Sequence, residues 1–245
     1  MHVMSWIPPY AIDQSIESLE SFKEWAHPSP LTVINRIGLQ YWIPSQNSRA
    51  QLVRNYGASP SPDDVRRSAD YCRQYEIAPF LCIYNYDGVD WNWNLAVRAF
   101  SEHRDRFIES LLDEVERYDL SGIDIDFEGQ GDCSAYQEPF KEFIIQLSTE
   151  LRKRDKLLSV DIFHNPELQA PNLSWVGDWK DHVDTVQTMG YNELYGGADA
   201  PYNYSSQVEI ALGQKKVPCE KFLIGLPGWL AEWGAAVWGA ALSIT

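Results

Sequence analysis

The chain has 245 residues, enough for one large domain and, less comfortably, for two small ones. Its 44% hydrophobic content supports a sizeable core, while a formal charge of −15, from 35 acidic against 20 basic residues, argues against nucleic acid and anionic membrane as partners, since both call for basic surface. The four cysteines, Cys72, Cys82, Cys133 and Cys219, are scattered without a CxxC pair or metal-ligand spacing, so neither a zinc site nor a disulfide framework is expected.

Apolar runs and helical stretches alternate along the chain. Val3 to Pro8 reads as a strand stopped by Pro8 and Pro9. Ile16, Leu19, Phe22 and Trp25 then fall at helical spacing. Leu31 to Trp42 is a second strand. SPSPDD, from Ser59, is a helix start, with proline in the first turn and Asp63 and Asp64 at the positive end of a helix that runs to about Tyr75. Ile77 to Tyr86 is a third strand. From Arg104 to Tyr118, Phe107, Ile108, Leu111, Leu112 and Val115 mark the clearest amphipathic helix. Gly122 to Glu128 is the fourth strand, and Phe140, Phe143, Ile144, Leu147 and Leu151 mark the helix after it. Fifth, sixth and seventh strands begin at Lys156, Val183 and Lys221, with a short helix at Ser205 to Gly213 between the last two.

Strands alternating with helices mean a parallel sheet with helical crossovers. No GxGxxG or P-loop follows the first strand, which leaves the usual nucleotide-binding version of an open doubly wound sheet without support. The expected fold is therefore α/β, a TIM (β/α)₈ barrel, which typically needs about 250 residues. AEWGAAVWGAALSIT, rich in Ala and Gly, leaves the eighth strand weak or missing. Residues 1–245 are read as a single catalytic barrel domain, truncated at its C-terminal end. No stretch reaches about 18 uninterrupted apolar residues, and MHVMSWIPPY lacks a basic region before an apolar core. Neither a transmembrane helix nor a signal peptide is therefore expected; a signal removed beforehand would make the protein secreted or cell-wall-associated.

The informative segment is Ser121-Gly-Ile-Asp-Ile-Asp-Phe-Glu128. Asp124, Asp126 and Glu128 stand at alternate positions and so share one side of a strand, about 7 Å apart in sequence order. With so many acids, three at this spacing arise by chance about once per chain, and the spacing alone decides nothing. The interleaved Ile123, Ile125 and Phe127 decide it. They suit the layer between barrel and helices, which turns the three carboxyls inward and upward toward the C-terminal rim where barrel enzymes keep their active sites. Burying such a row is expensive, so a catalytic purpose is expected. Crowded carboxyls do not all ionise freely, and Glu128, nearest the rim, is the natural proton donor, with Asp126 and Asp124 deeper in holding a shared charge. Asp161 on the fifth strand is placed to meet this row.

Ser121, Gly122, Asp124, Asp126 and Glu128 resemble the D-G-x-D-x-D-x-E hallmark of glycoside hydrolase family 18, the chitinases and endo-β-N-acetylglucosaminidases, with serine for the first aspartate. Met189, Tyr191 and Asn192 match the family's M-x-Y-D or M-x-Y-N signature, and the two motifs fall on the strands counted fourth and sixth. GLPGW at the seventh strand fits as well. The third strand's IYNYDG ending resembles bacterial cell-wall and spore-associated relatives. The resemblance implies substrate-assisted hydrolysis, in which the substrate's own N-acetyl oxygen attacks the anomeric carbon. Glu128 would protonate the glycosidic oxygen, Asp126 would orient the acetamido N–H, Asp124 would exchange a hydrogen bond with Asp126, and Tyr191 would bind the acetamido oxygen. Asn192 and Met189 would sit against the sugar.

Ten tryptophans and thirteen tyrosines exceed ordinary packing needs and suit stacking on sugar rings. Trp6, Tyr84 and Trp229 fall at or just after strand ends and are the candidates for that contact. The expected partner is an N-acetylglucosamine-containing oligo- or polysaccharide, cleaved at its β-1,4 links; no cofactor and no metal are expected. Two other readings compete. One is a catalytically silent carbohydrate-binding protein on the same fold, which the doubtful eighth strand favours. The other is a barrel enzyme using the acids for Mg²⁺, against which stands the origin of all three acids on one strand.

Overall fold

The computed structural model of the protein describes residues 2–25, 34–53, 60–163, 169–189, 208–226 and 238–243. Seven parallel strands carry the architecture: β1 (Val3–Ile7), β2 (Arg36–Pro44), β4 (Ala78–Tyr84), β5 (Gly122–Asp126), β7 (Leu157–Ile162), β9 (Thr185–Thr188) and β10 (Phe222–Leu226). Each pairs with the next in sequence order, from β1–β2 through β10–β9, as the strands of a (β/α)₈ barrel do. The eighth position holds no parallel strand. The gap between β10 and β1 is taken up by β11 (Trp238–Ser243), which runs antiparallel to both. In that place it pairs the edges that β10 and β1 would otherwise leave open.

Short pieces decorate the framework. β3 (Ala50–Leu52) folds back on the end of β2 as a hairpin. β6 (Gly129–Gln130) pairs with β8 (Gln169–Ala170), tying the chain after β5 to the chain after β7. None of these pieces has enough alternation to be read from sequence.

Helices α1 (Ile12–Trp25), α2 (Pro62–Gln74), α4 (Arg104–Arg117) and α5 (Gln137–Arg152) lie where the sequence places them, whereas the short α3 (Trp93–Val97) is not anticipated by it. Helix α2 starts on a capping box: the Ser61 side chain accepts from the Asp64 N–H while the Asp64 carboxylate accepts from the Ser61 N–H, with Pro62 at the first helical position. Between Ser205 and Gly213, where a short helix is expected, residues 208–213 are described and coil into the wide-turned Glu209–Gln214 helix. Helices α4 and α5 bury their predicted apolar stripes against the outer face of the sheet. There Phe107, Phe127, Phe100, Phe140 and Phe143 form a continuous aromatic layer, with ring centroids 5.5–6.3 Å apart. This layer is part of the main core of the protein, which extends around the outer face of the sheet from Ile7 to Phe222.

The barrel interior is built in levels. At its base the Arg36 guanidinium lies over the Phe80 ring and donates to Thr185. Above it Met4, Phe80 and Leu223 make a small apolar plug. Higher up, the interior turns polar.

Candidate active site

Alternation along β5 turns Asp124 and Asp126 into the barrel and Ile123 and Ile125 out into the helical layer. The strand ends at Asp126, and Glu128 follows at the mouth, half-buried. The row therefore climbs from a fully enclosed position to one within reach of a bound molecule.

Asp124 is cradled by donors. The Trp6 indole N–H reaches one carboxylate oxygen at 2.8 Å and the Gln187 amide reaches the other at 3.1 Å, while the Ser159 hydroxyl and the Cys82 thiol also point to it. Gln187 donates to Ser159 as well, at 2.8 Å, so three strands are stitched together at this level. The Trp6 contact depends on Gly38. A β-carbon there would lie 2.5 Å from the indole ring, so only glycine lets the ring lie flat across β2 and aim its N–H at Asp124.

Asp126 receives less help. Gln40 donates to one oxygen at 2.9 Å, and the other oxygen has no hydrogen-bond partner among the described residues. Burial, with the negative Asp124 beside it, pushes its carboxyl up to about 7, a rise that the Gln40 bond only partly offsets. Glu128 is pushed up to about 9, first by burial and then by Asp126. Asp124 is also raised by burial, with its donors opposing the rise. Near neutral pH this makes Glu128 a protonated acid at the mouth above an Asp126 poised to titrate.

Glu128 itself is held by its backbone. The Asn85 side chain, fully buried just past the end of β4, accepts from the Glu128 N–H at 2.7 Å and donates to the Glu128 carbonyl at 2.8 Å. This two-point clamp mimics a strand pairing where the ladder has stopped. It leaves the Glu128 side chain free to face the mouth.

The candidates named from sequence divide accordingly. Asp124, Asp126 and Glu128 are brought together in one interior row. Trp6 joins them from below, its indole N–H committed to Asp124. Met189 is buried just past the end of β9 and continues the inward row of Thr185 and Gln187. Tyr84, level with Asp126 on the neighbouring strand, packs at the mouth with Ile43, Val53, Tyr86 and Trp91. Tyr191, Asn192 and Trp229 lie outside the described residues. Gln40, Asn85, Ser159, Cys82 and Gln187 were missed from sequence. Alternation did carry a signal for Ser159 and Gln187, which stand on the same side of their strands as Asp161 and Thr185; Gln40 is masked by the irregular pairing of β2 with β4 between Leu39 and Trp42.

Comparison with known proteins bears on the family and the fold. The family model of glycosyl hydrolases family 18 matches residues 90–237. No curated protein matches the sequence. Among solved structures, the chitinase of Chromobacterium violaceum superposes with a TM-score of 0.71 at 18% identity, covering 91% of this chain and 67% of that one. The spore cortex-lytic enzyme SleL of Bacillus cereus superposes at 0.63 with 16% identity, covering 98% of this chain and 55% of that one. A mutant of catalytic domain 2 of the Ostrinia furnacalis Group II chitinase, in complex with penta-N-acetylchitooctaose, gives 0.70 at 12% identity, covering 91% and 63%. These likenesses are of fold. The chain spans between 55 and 67% of the length of these three structures.

Proposed function

The chain belongs to glycosyl hydrolases family 18, its model matching more than half of the residues, and we propose that it is a retaining glycoside hydrolase that cleaves β-1,4-linked N-acetylglucosamine glycans, namely chitin-like chains, peptidoglycan or the N-glycan core. The observation that carries this reading is the position and state of Glu128. It stands at the mouth of the barrel, kept protonated near neutral pH by burial and by Asp126 beneath it. A carboxylic acid in that state donates a proton to a leaving oxygen and, once ionised, takes one from water.

Glu128 gives its proton to the glycosidic oxygen as the bond to the anomeric carbon breaks. The substrate's acetamido oxygen closes on that carbon from the opposite face, forming an oxazolinium ion and conserving configuration after water attacks. Asp126, with one oxygen held by Gln40 and the other unpartnered among the described residues, accepts from the acetamido N–H and balances the positive charge that develops there. Tyr191 binds the acetamido oxygen, and Asn192, Met189, Tyr84 and Trp229 contact the sugar. Trp6 supports Asp124 from beneath. The interacting partner is the glycan; residues 1–245 act as a single catalytic domain.

Hydrolysis of a chromogenic chitobioside or chitotrioside by the wild type and by Glu128→Gln tests this. Losing the general acid lowers the rate by about 10²–10⁴-fold. A wild type that binds the sugar without cleaving it supports the second reading, a silent carbohydrate-binding protein. The observation favouring that reading is the antiparallel β11 in the eighth strand's place. Activity that survives in Glu128→Gln overturns the assignment of the acid.

A further inference from the structure

A fourth carboxyl stands in the barrel interior and takes no part in the steps above. Asp161 lies on β7, whose register against β5 pairs Asp124 with Ser159 and Ile125 with Val160, which puts Asp161 level with Asp126. Alternation along β7 sends Ser159 and Asp161 inward and Leu158, Val160 and Ile162 into the outer core. Asp161 is 3% exposed, its side chain is in hydrogen-bond contact with Asp124, and its Oδ1 has no partner among the described residues.

Two carboxyls in hydrogen-bond contact away from water hold a proton between them, because two adjacent buried anions repel too strongly to coexist. The surroundings decide which of the two keeps it. Asp124 is met by the Trp6 N–H, the Gln187 amide, the Ser159 hydroxyl and the Cys82 thiol, all of which can donate and so favour its anion. Among the described residues Asp161 has no comparable set, and its Oδ1 meets no donor. The titratable groups acting on it are Asp124 and Asp126 from β5, Glu128 after that strand, and Cys82 from β4, and each carboxylate among them opposes a second negative charge.

We propose that Asp161 is a positioning residue: a neutral carboxylic acid that donates its proton to Asp124 and completes the ring of donors holding Asp124 as an oriented anion. Asp124, though raised by burial, is better supplied with donors than Asp126, so a proton shared between the two rests on Asp126. The mobile proton of the row is thereby confined to its upper end, between Asp126 and Glu128, where the bond is cleaved. No proton is consumed at Asp161 during turnover. Its effect on the reaction rests on the hydrolase reading above, whereas its own protonation does not.

Infrared difference spectroscopy at neutral pH on the wild type and Asp161→Asn tests the protonation without any need for turnover. The expected result is loss, in the variant, of one carbonyl band of a protonated carboxylic acid, a band that in the wild type survives at a pH where Asp126 has ionised. Absence of any lost band overturns the proposal, whether or not the protein hydrolyses chitotrioside. The positioning role is read from kcat/KM on chitotrioside. Asp161→Leu, of similar branched shape but larger and unable to donate, is expected to lose about tenfold or more, the worth of a hydrogen bond to a charged group. Asp161→Asn, whose amide still donates to Asp124, is expected to recover most of that loss. An Asn variant as impaired as the Leu variant, or a Leu variant as active as the wild type, overturns the positioning role. Should Asp161→Leu fail to fold, the infrared comparison still decides the protonation.

Discussion

The two faces of β5 and its continuation are equally closed to solvent and are built from opposite chemistry. Ile123, Ile125 and Phe127 face outward, fully buried among the rings of α4 and α5; Asp124 and Asp126 face inward and are 0% and 5% exposed. On the outer face each buried side chain contributes about 1.5–3 kcal/mol of hydrophobic stabilisation. On the inner face burial works against the fold, because carboxyls lose water and gain only part of it back from amides and an indole. Equal burial thus hides a division of labour: one face holds the barrel shut, while the other spends stability to keep acids raised and poised.

The comparison yields expectations that differ for the two faces. The largest effect on stability belongs to the outer layer. Phe107→Ala removes a ring stacked on Phe127 and Phe143 and should cost about 3–5 kcal/mol, lowering Tm by on the order of 10 °C. Its activity, measured well below that Tm, should stay near wild type. A large loss of kcat in a folded Phe107→Ala would mean that the two faces are mechanically coupled and not merely adjacent.

Asp126→Asn should do the reverse. Its kcat falls by about 10²–10³-fold as the partner of the acetamido group is lost. Its Tm, followed by calorimetry, stays level or rises, because an amide carries no charge to desolvate. A clear drop in Tm would show that the inner face stabilises the fold after all.

The same contrast predicts how stability varies with pH. The folded protein holds Asp126 at about 7 against an ordinary 3.8, and Glu128 at about 9 against 4.5. Between those limits it binds more protons than the unfolded chain, so stability must fall as pH rises from about 4 to about 9. Asp126→Asn should flatten the lower part of that slope, and Glu128→Gln the upper part. In kcat/KM the alkaline limb should fall as Glu128 loses its proton near pH 9. Thermal melts across this range, with a Tm that climbs toward alkaline pH, would contradict the raised carboxyls.

A smaller effect is expected where the faces meet. Asn85→Ala removes both bonds that clamp the Glu128 backbone and leaves a buried N–H and C=O unpaired, costing about 1–3 kcal/mol. Because the clamp also aims Glu128, kcat should fall about tenfold while KM changes little. An unchanged kcat with the expected loss of Tm would make Asn85 purely structural.

Much of the framework was legible in the residues because its causes are local. Helical spacing located α4 and α5 to within a few residues, proline and aspartate marked the start of α2, and alternation put Asp124 and Asp126 on one side of a strand, the inner side once a barrel is expected. The doubtful eighth strand was legible too, as an Ala- and Gly-rich tail with no pattern of its own; that residues 238–243 fill the gap antiparallel follows only from the unpaired edges of β1 and β10.

The site was half legible. Its acids share one strand, so their spacing in sequence is their spacing in space. Their partners do not. Gln40, Asn85, Gln187 and Asp161 come from or directly follow four other strands, up to 118 residues from the acids when Trp6 is included. What assembles them is the stagger of neighbouring strands around a barrel, which sets the level at which each inward side chain stands. Local pattern determines which way a residue points. Only closure of the barrel decides what it meets there, and hence which carboxyl keeps a proton.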